Sequence, residues 1–179
     1  MIEQKDLIEI VHKSLEKSPD SRISFVVSEL KQRYGNKIND SSPEFFVVIG
    51  GAYGVVKILY ASLTEYLILY GCPFKNSGTS GRYLFRATDF VIRGKLNVAP
   101  VIIGERATEF KEGEYSTLQV LENKFYEIDE NTWLLEHAIG FIPSSFFSVF
   151  GHFMSTWDIL GTFAIFKTWL REVLRTYAF

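Results

Sequence analysis

The chain has 179 residues, a formal net charge of −2 and a pI near 6.0, which is length enough for one compact domain with its own core and leaves no basic footprint for nucleic acid. Aromatic residues make up 16% of it, with 16 Phe and 9 Tyr, a load that points to a large apolar cavity, a membrane-facing surface, or both. One cysteine, Cys72, excludes an intramolecular disulfide, and His12, His137 and His152 stand at no ligand spacing with a cysteine or acid cluster, so no metal site is expected.

The first six residues carry Glu3, Lys5 and Asp6 and no apolar run, so no signal peptide is read. From Gln4 to Glu16, Leu7, Ile8, Val11 and Leu15 have helical spacing, and Pro19 closes the helix. Asp20 and Ser21 can cap a second helix, whose Ile23, Val26, Val27, Leu30 and Tyr34 form one apolar stripe before Gly35 stops it. The loop GNKINDSSP (35–43) ends this helical head, residues 1–43, which on the plainer reading only packs on the body.

From Glu44 to residue 142 the pattern changes to short β runs. Strands are expected at FFVVIG, VVKILYAS, EYLILYG, RYLFRATDFVI, APVIIG, YSTLQVL, KFYEI and TWLLEHAIG, with GGAYG, GCPFKNSGTSG, RGKLN, KEGE and DEN between them. Residues 45–64 are apolar, but Lys57 and glycines 50, 51 and 54 suit strands and turns better than a membrane span. Many short strands at close spacing imply a small barrel or jelly-roll-like sandwich able to hold one small ligand.

Two of these strands carry an isolated acid. Alternation sets Asp89 on one face with Tyr83, Phe85, Ala87 and Val91, while Arg86 falls on the other. Likewise, Glu136 shares a face with Thr132, Leu134, Ala138 and Gly140. If the two meet inside the barrel, repulsion and desolvation keep one of them protonated near neutral pH. On alternation alone the better reading is that each faces solvent at a strand end or pairs with a distant Lys or Arg.

Residues 138–157 lack formal charge, but Pro143, Ser144, Ser145 and Gly151 break the run into a strand end and a short interfacial helix, with a true span as the second reading. Beyond it, Ser155 is the expected N-cap with Asp158 three residues on. Ile159, Phe163, Phe166, Leu170, Val173 and Tyr177 follow at three-to-four spacing. Lys167, Arg171 and Arg175 form a basic stripe, and Trp157 and Trp169 are interfacial residues. Such a helix can lie in a head-group layer; alternatively its apolar stripe covers the barrel mouth.

Read in order, GGAYGVVKILYASLTEY (50–66), SGRY followed by Asp89 (80–89), EGE (112–114), NTWLLE (131–136), GFIPS (140–144) and STWD (155–158) resemble the family shared by fungal C-8 sterol isomerase and the type-1 sigma receptor. That resemblance runs from about Asp6 to the C-terminus. It implies an α+β fold: a cupin-like β-barrel without the cupin metal, with N-terminal helices and two C-terminal amphipathic membrane-adjacent helices, arranged as one domain (1–43 head, 44–142 barrel, 143–179 helices). It also implies Glu136 and Asp89 side by side as the catalytic acid pair and as ligand contacts, Tyr66 and Tyr83 in the pocket wall, and Glu65 bonding backbone groups. No cofactor is implied. The implied partners are a sterol or other lipid-like molecule, cationic amphiphiles, and a membrane surface met through residues 144–177, with a homo-oligomer, trimeric by resemblance, and no nucleic acid. The implied location is monotopic at a membrane, the endoplasmic reticulum in a eukaryote.

This sequence departs from the family pattern at several places. Thr79 stands where members carry His, Ile139 where they carry Arg, and His137 where a Tyr follows the glutamate. Phe150, Gly151 and His152 replace Ala-Asp-Thr, and the family's N-terminal membrane helix has no counterpart before the first helix. Three readings follow: an isomerase using the acid pair, a receptor-like protein binding lipids or cationic amphiphiles without turnover, and a structural protein whose barrel is filled by its own side chains. The acid pair argues against the last, because buried unpaired acids cost several kcal/mol.

Overall fold

A computed structural model describes residues 1–102 and 104–178. Its first helices, α1 (Gln4–Ser14) and α2 (Arg22–Tyr34), turn the expected stripes inward: Leu7, Ile10, Val11, Val26 and Leu30 are fully buried. They pack on Leu59, Leu67, Leu69, Phe90, Ile92 and Leu135. The head thus covers one face of a sheet whose other face is free to line a cavity. Gly35 ends α2 in a left-handed conformation (φ 57°), but neither expected cap bonds the helix start: Ser21, at the N-cap position, donates its hydroxyl back to the Ser18 carbonyl at 3.0 Å, and Asp20 accepts from Arg93.

The β body comprises β1 (Glu44–Ile49), β2 (Ala52–Ala61), β3 (Glu65–Cys72), β4 (Asn76–Thr79), β5 (Phe85–Arg93), β6 (Lys95–Pro100), β7 (Thr108–Lys111), β8 (Tyr115–Leu118), β9 (Lys124–Ile128) and β10 (Thr132–Gly140). All pairs are antiparallel, in a six-stranded sheet ordered β1-β2-β3-β10-β5-β8 and a four-stranded sheet ordered β4-β9-β6-β7. This is the cupin-like α+β class expected, with one correction: the body is two facing sheets, not one continuous closed barrel. Val91 and Leu134 of the first sheet share a core cluster with Leu96, Val98 and Ile128 of the second.

At one edge the sheets meet through backbone. The β1–β2 turn places Gly50 at φ 57°, and its carbonyl accepts from Thr79 N–H at 2.8 Å. A Cβ on Gly50 would lie 1.9 Å from the Thr79 carbonyl oxygen, so the GGAYG block needs glycine there.

Three strand expectations are corrected. The strand read as APVIIG is instead Lys95–Pro100; Val101 and Ile102 lie in a bend and Ile103 is outside the described residues. Leu96 and Val98 point inward while Lys95 and Asn97 alternate outward, a period hidden by reading RGKLN as a turn when Arg93–Gly94 alone makes it. Strands β4 (NSGT) and β7 (TEFK) were read as loop because both are short, polar sheet edges, where polar residues discourage edge-to-edge pairing.

Past β10 a 3₁₀ turn (Ile142–Ser145) leads into α3 (Phe146–Thr156) and α4 (Ile159–Tyr177). The N-cap of α4 is Asp158, accepting from Gly161 N–H at 2.8 Å, not Ser155, which lies inside α3 and bonds back to the His152 carbonyl. The left-handed Trp157 (φ 53°) forces the break between the two helices. Of the two readings of the α4 stripe, the one that covers the barrel mouth holds only in part: Val173 is buried and Phe166, though partly exposed, lines the cavity, while Ile159, Phe163, Leu170 and Tyr177 are exposed, and the inward face is Ile165, Thr168, Glu172 and Val173.

Charge ties bind the layers. Glu172, 1% exposed, accepts from Asn39 Nδ2 at 2.6 Å and pairs with Arg175 at 2.7 Å, and Arg175 donates to the Lys37 carbonyl. Lys37 Nζ reaches Glu65 at 3.3 Å, where Oε1 also accepts from Ile2 N–H at 2.6 Å and from His137 Nε2 at 3.1 Å. Glu65 therefore bonds backbone and the head, outside the cavity. These partners outweigh its burial and hold its carboxyl down at about 2. Because its folded value lies below the unfolded value near 4.5, its stabilisation is complete above that value and is lost as pH falls toward 2. We expect Glu65→Gln to cost about 2 kcal/mol at neutral pH and to flatten the decline of the thermal midpoint between pH 4.5 and 2, measured by calorimetry.

Candidate functional site

Between the two sheets, roofed by α3 and α4, lies a cavity of about 220 Å³. Val56, Ile58, Phe85 and Leu134 line its walls, and Phe146, Val149, Ile165 and Trp169 its roof. Asp89 and Glu136 both open into it.

The register explains how they meet. Glu136 on β10 is the direct antiparallel partner of Asp89 on β5, so the two side chains leave the same face as cross-strand neighbours, about 4.5–5.5 Å apart at Cβ. A bulge makes this pairing. Trp133 faces Arg93, and continuing that register would set Glu136 opposite Phe90; the shift between Trp133 and Leu134 moves it by one residue to Asp89.

Electrostatics follow from burial. Asp89 is 6% exposed, and Glu136 is half-buried, its remaining exposure facing the cavity. Desolvation pushes both carboxyls above the ordinary range, and the Glu136 charge raises Asp89 further. Tyr66 Oη donates to Glu136 Oε1 and opposes the rise there, while Tyr126 and, more weakly, Lys124 oppose it at Asp89. Two full negative charges side by side in such surroundings are disfavoured, so the pair retains one proton near neutrality.

Tyr66 and Tyr83 both line the cavity. Tyr66 packs edge-on to Phe85 (5.6 Å), Phe85 stacks on Tyr83 (4.7 Å, 7°), and the Tyr83 hydroxyl bonds Ser148 of α3 at 2.5 Å. One hydrogen-bonded aromatic layer thus runs from the acid pair to the roof. Among the departures, Thr79 lines the wall, His137 turns to the opposite face and meets Glu65, Ile139 lies opposite Arg86 and Glu65, and buried His152 accepts from Val48 N–H at 3.1 Å, docking α3 on the β1 edge.

Tyr126, which enters the cavity from β9, was missed, as were the roof residues Phe146 and Ile165, and Trp169, expected at a membrane interface, instead packs on Phe146 in the roof. The signal for Tyr126 was its alternation with Ile128 in KFYEI, hidden because Lys124 shares that face. The roof residues carried none, because α4 exposes its more apolar side.

A larger groove, about 780 Å³, lies outside between α2 and the six-stranded sheet, lined by Lys31, Asp40, Glu44 and Lys57 among others. Its Lys31, Asp40, Glu44 and Lys57 are partly or fully exposed, so their charges are screened; the apolar cavity that holds Asp89 and Glu136 is where a carboxyl gains unusual chemistry. Among the described residues no group of three or more His, Cys, Asp or Glu could hold a metal ion.

A family model described as ERG2 and Sigma1 receptor like protein matches residues 1–178. A protein erg2 homolog from Dictyostelium discoideum is 32% identical over 161 residues, 89% of this chain and 68% of that one. A sigma non-opioid intracellular receptor 1 from Xenopus tropicalis is 30% identical, covering 87% and 72%. A C-8 sterol isomerase erg2 from Aspergillus fumigatus is 33% identical, covering 85% and 64%. The chain thus spans about two thirds of the length of these relatives. Among solved structures, an RmlC-like cupin from Shewanella frigidimarina matches at TM-score 0.48 with 8% identity over 57% of this chain and 86% of that one.

Replacing Glu136 by Gln removes the like charge that raises Asp89, so Asp89 should ionise at a lower pH than in the wild type. The disappearance of its protonated C=O stretch in an infrared pH titration measures this; an unchanged midpoint would mean that the two carboxyls do not interact.

Proposed function

The chain belongs to the ERG2 and Sigma1 receptor like family, and from that membership we propose that it is a sterol Δ8–Δ7 isomerase, an intramolecular double-bond isomerase acting through Glu136 and Asp89. The observation that carries this is the direct cross-strand pairing of two buried acids in an apolar cavity. The reaction balances without redox change. A carboxylic acid delivers a proton to C9 of the C8=C9 alkene, the π electrons forming the C9–H bond and leaving a cation at C8. A carboxylate then removes a proton from C7, and the C–H electrons become the C7=C8 bond. The pair finishes with the proton count it started with, and the proton shifts between the carboxyls to reset it. In a dry site the carboxylate also stabilises the cation.

A cavity of about 220 Å³ is smaller than the roughly 300–1,000 Å³ of pockets that hold drug-sized ligands, so a four-ring lipid enters with α3 and α4 displaced. The outward face of that pair suits a membrane: Phe147 (82% exposed), Trp157 (75%), Leu160 (84%) and Phe163 (66%) project from it, with Lys167 and Arg171 exposed alongside. No helix among the described residues is long and apolar enough to cross a membrane; it is the exposed apolar face with its flanking cations that supports monotopic attachment through residues 144–177. Location at the endoplasmic reticulum of a eukaryotic cell and assembly into a homo-oligomer, a trimer by resemblance, belong to the same reading.

A second reading keeps the site and drops the turnover: a receptor-like protein that binds lipids or cationic amphiphiles. The carboxyl pair ringed by Tyr66, Phe85 and Tyr83 favours it too, since a protonated amine resembles the cation of the isomerisation.

Glu136→Gln should lower turnover of a Δ8 sterol by 10²- to 10⁴-fold, the usual worth of a positioned acid, with circular dichroism unchanged; undiminished product formation rules the isomerase out. Amine binding that depends on Glu136, without isomerisation of any sterol offered, selects the second reading. For the membrane, wild-type protein should sediment with liposomes and a Phe147→Ser/Leu160→Ser variant much less.

A further inference from the structure

The two ends of the six-stranded sheet are built differently. At one end lie the β2–β3 turn, the start of β5 and the segments that follow β8 and β10. Each carries a large apolar side chain, about half exposed: Leu63, Leu84, Leu121 and Phe141. At the other end the turns after β5, before β8 and before β10 carry Arg93, Glu112, Glu114, Asp129 and Glu130, beside the exposed Phe74 and Tyr115.

The four apolar tips are neighbours. Phe141 N–H donates to the Leu84 carbonyl at 2.8 Å, Ile142 N–H to the Leu63 carbonyl at 3.1 Å and Leu121 N–H to the Tyr83 carbonyl at 2.9 Å. Along the order β3-β10-β5-β8 they form a row roughly 14 Å long at the ~4.8 Å strand spacing. Leu121 is held in a left-handed conformation (φ 60°) that leucine seldom adopts, and Arg82 braces it by donating to its carbonyl at 2.6 Å.

Two observations say what covers the row. First, it runs into the apolar face of the helices: Phe147 opens α3 shortly after Phe141, and Phe150, Met154 and Trp157 continue at three-to-four spacing, all exposed. Second, its flanks are basic. Arg82 and Arg86 stand exposed on either side of Leu84, while Glu122, next to Leu121, is engaged by Gln119 N–H at 2.8 Å and Lys124 at 3.2 Å. A second copy meeting the row symmetrically would bring like charges together; an anionic bilayer takes both the apolar tips and the arginines.

Resting on the membrane attachment proposed above, we propose that this row of loops is a second membrane contact, outside residues 144–177. Leu63, Leu84, Leu121 and Phe141 insert among the head groups, and Arg82 and Arg86 meet lipid phosphates. Contact at both the helix face and the sheet end fixes the tilt of the protein on the bilayer. Asp89 and Glu136 then lie about 13 Å from the row, counted along β5 and β10 from the Phe85–Gly140 pair at ~3.3 Å per residue, which sets how far a lipid must climb to reach them.

The test is co-sedimentation with vesicles of phosphatidylcholine and phosphatidylserine in equal parts. Leu84→Gln/Leu121→Asn alters exposed side chains only, and asparagine suits the left-handed position better than leucine. It should lower the partition coefficient at least about tenfold while the thermal midpoint stays level or rises. Arg86→Gln should lower it about fivefold on these vesicles and leave binding to phosphatidylcholine alone unchanged. A double variant that binds as the wild type does overturns the proposal, and if Phe147→Ser/Leu160→Ser then loses binding, the helix attachment stands without the row. Loss in the double variant alone keeps the row and removes the helices. A wild type that binds neither kind of vesicle sinks the attachment and the row with it. As a readout of the contact itself, a polarity-sensitive fluorophore on Leu84→Cys, with Cys72 buried and out of its way, should shift to the blue when vesicles are added. A shift that follows protein concentration without vesicles assigns the row to a second copy and overturns the proposal.

Discussion

Two carboxyls facing each other across one strand pair, at the wall of an apolar cavity, set the terms for the rest of the molecule. A pair like Glu136 and Asp89 is tolerable only if a proton stays between them or if water enters to screen them. The fold takes the first course. Its aromatic load is spent around the pair: Phe85 and Tyr83 stack beside it, Tyr66 bonds it, and Phe146 and Trp169 pack edge-on at 4.6 Å in the roof. Opening the cavity to water would raise its dielectric and weaken the coupling that makes one acid a donor and the other an acceptor.

Holding the roof down is therefore part of the chemistry. The helices that form it are anchored at their ends rather than along their length. At one end, His152 caps the free backbone of edge strand β1 and Tyr83 bonds Ser148. At the other, Glu172 and Arg175 fasten α4 to Asn39 and Lys37, and Lys37 in turn reaches Glu65 beneath the N-terminal head. Polar anchors at the margins leave the middle of the roof held by dispersion contacts alone, and such contacts can re-form around a ligand without leaving a buried polar group unpaired.

What could be read in the sequence follows the range of the forces involved. Side-chain alternation is local, so the faces of Asp89 and Glu136 and the inward stripes of α1 and α2 were legible. Pairing is not local. That Glu136 meets Asp89 and not Phe90 depends on a bulge beside Trp133, and neither alternation nor propensity marks where a strand will take up an extra residue. The family resemblance supplied the pairing that the local pattern could not. Strands β4 and β7 escaped notice for a related reason: edges select polar residues, and polar residues read as loop.

The orientation of α4 is what periodicity alone left open. Hydrophobic periodicity finds an apolar face, and the assumption that such a face turns inward holds only where the medium outside is water. Here the inward side carries Thr168 and the anchored Glu172 while Phe163, Leu170 and Leu174 look out. Each large apolar side chain left in water forgoes about 1.5–3 kcal/mol relative to burial, a cost that the membrane attachment proposed above would remove. The same orientation gives the cavity roof a lipid-compatible outer surface and an aromatic inner one. Under the membrane reading, an apolar substrate passing through the roof never crosses bulk water, and the pair it reaches keeps its proton because none has been admitted.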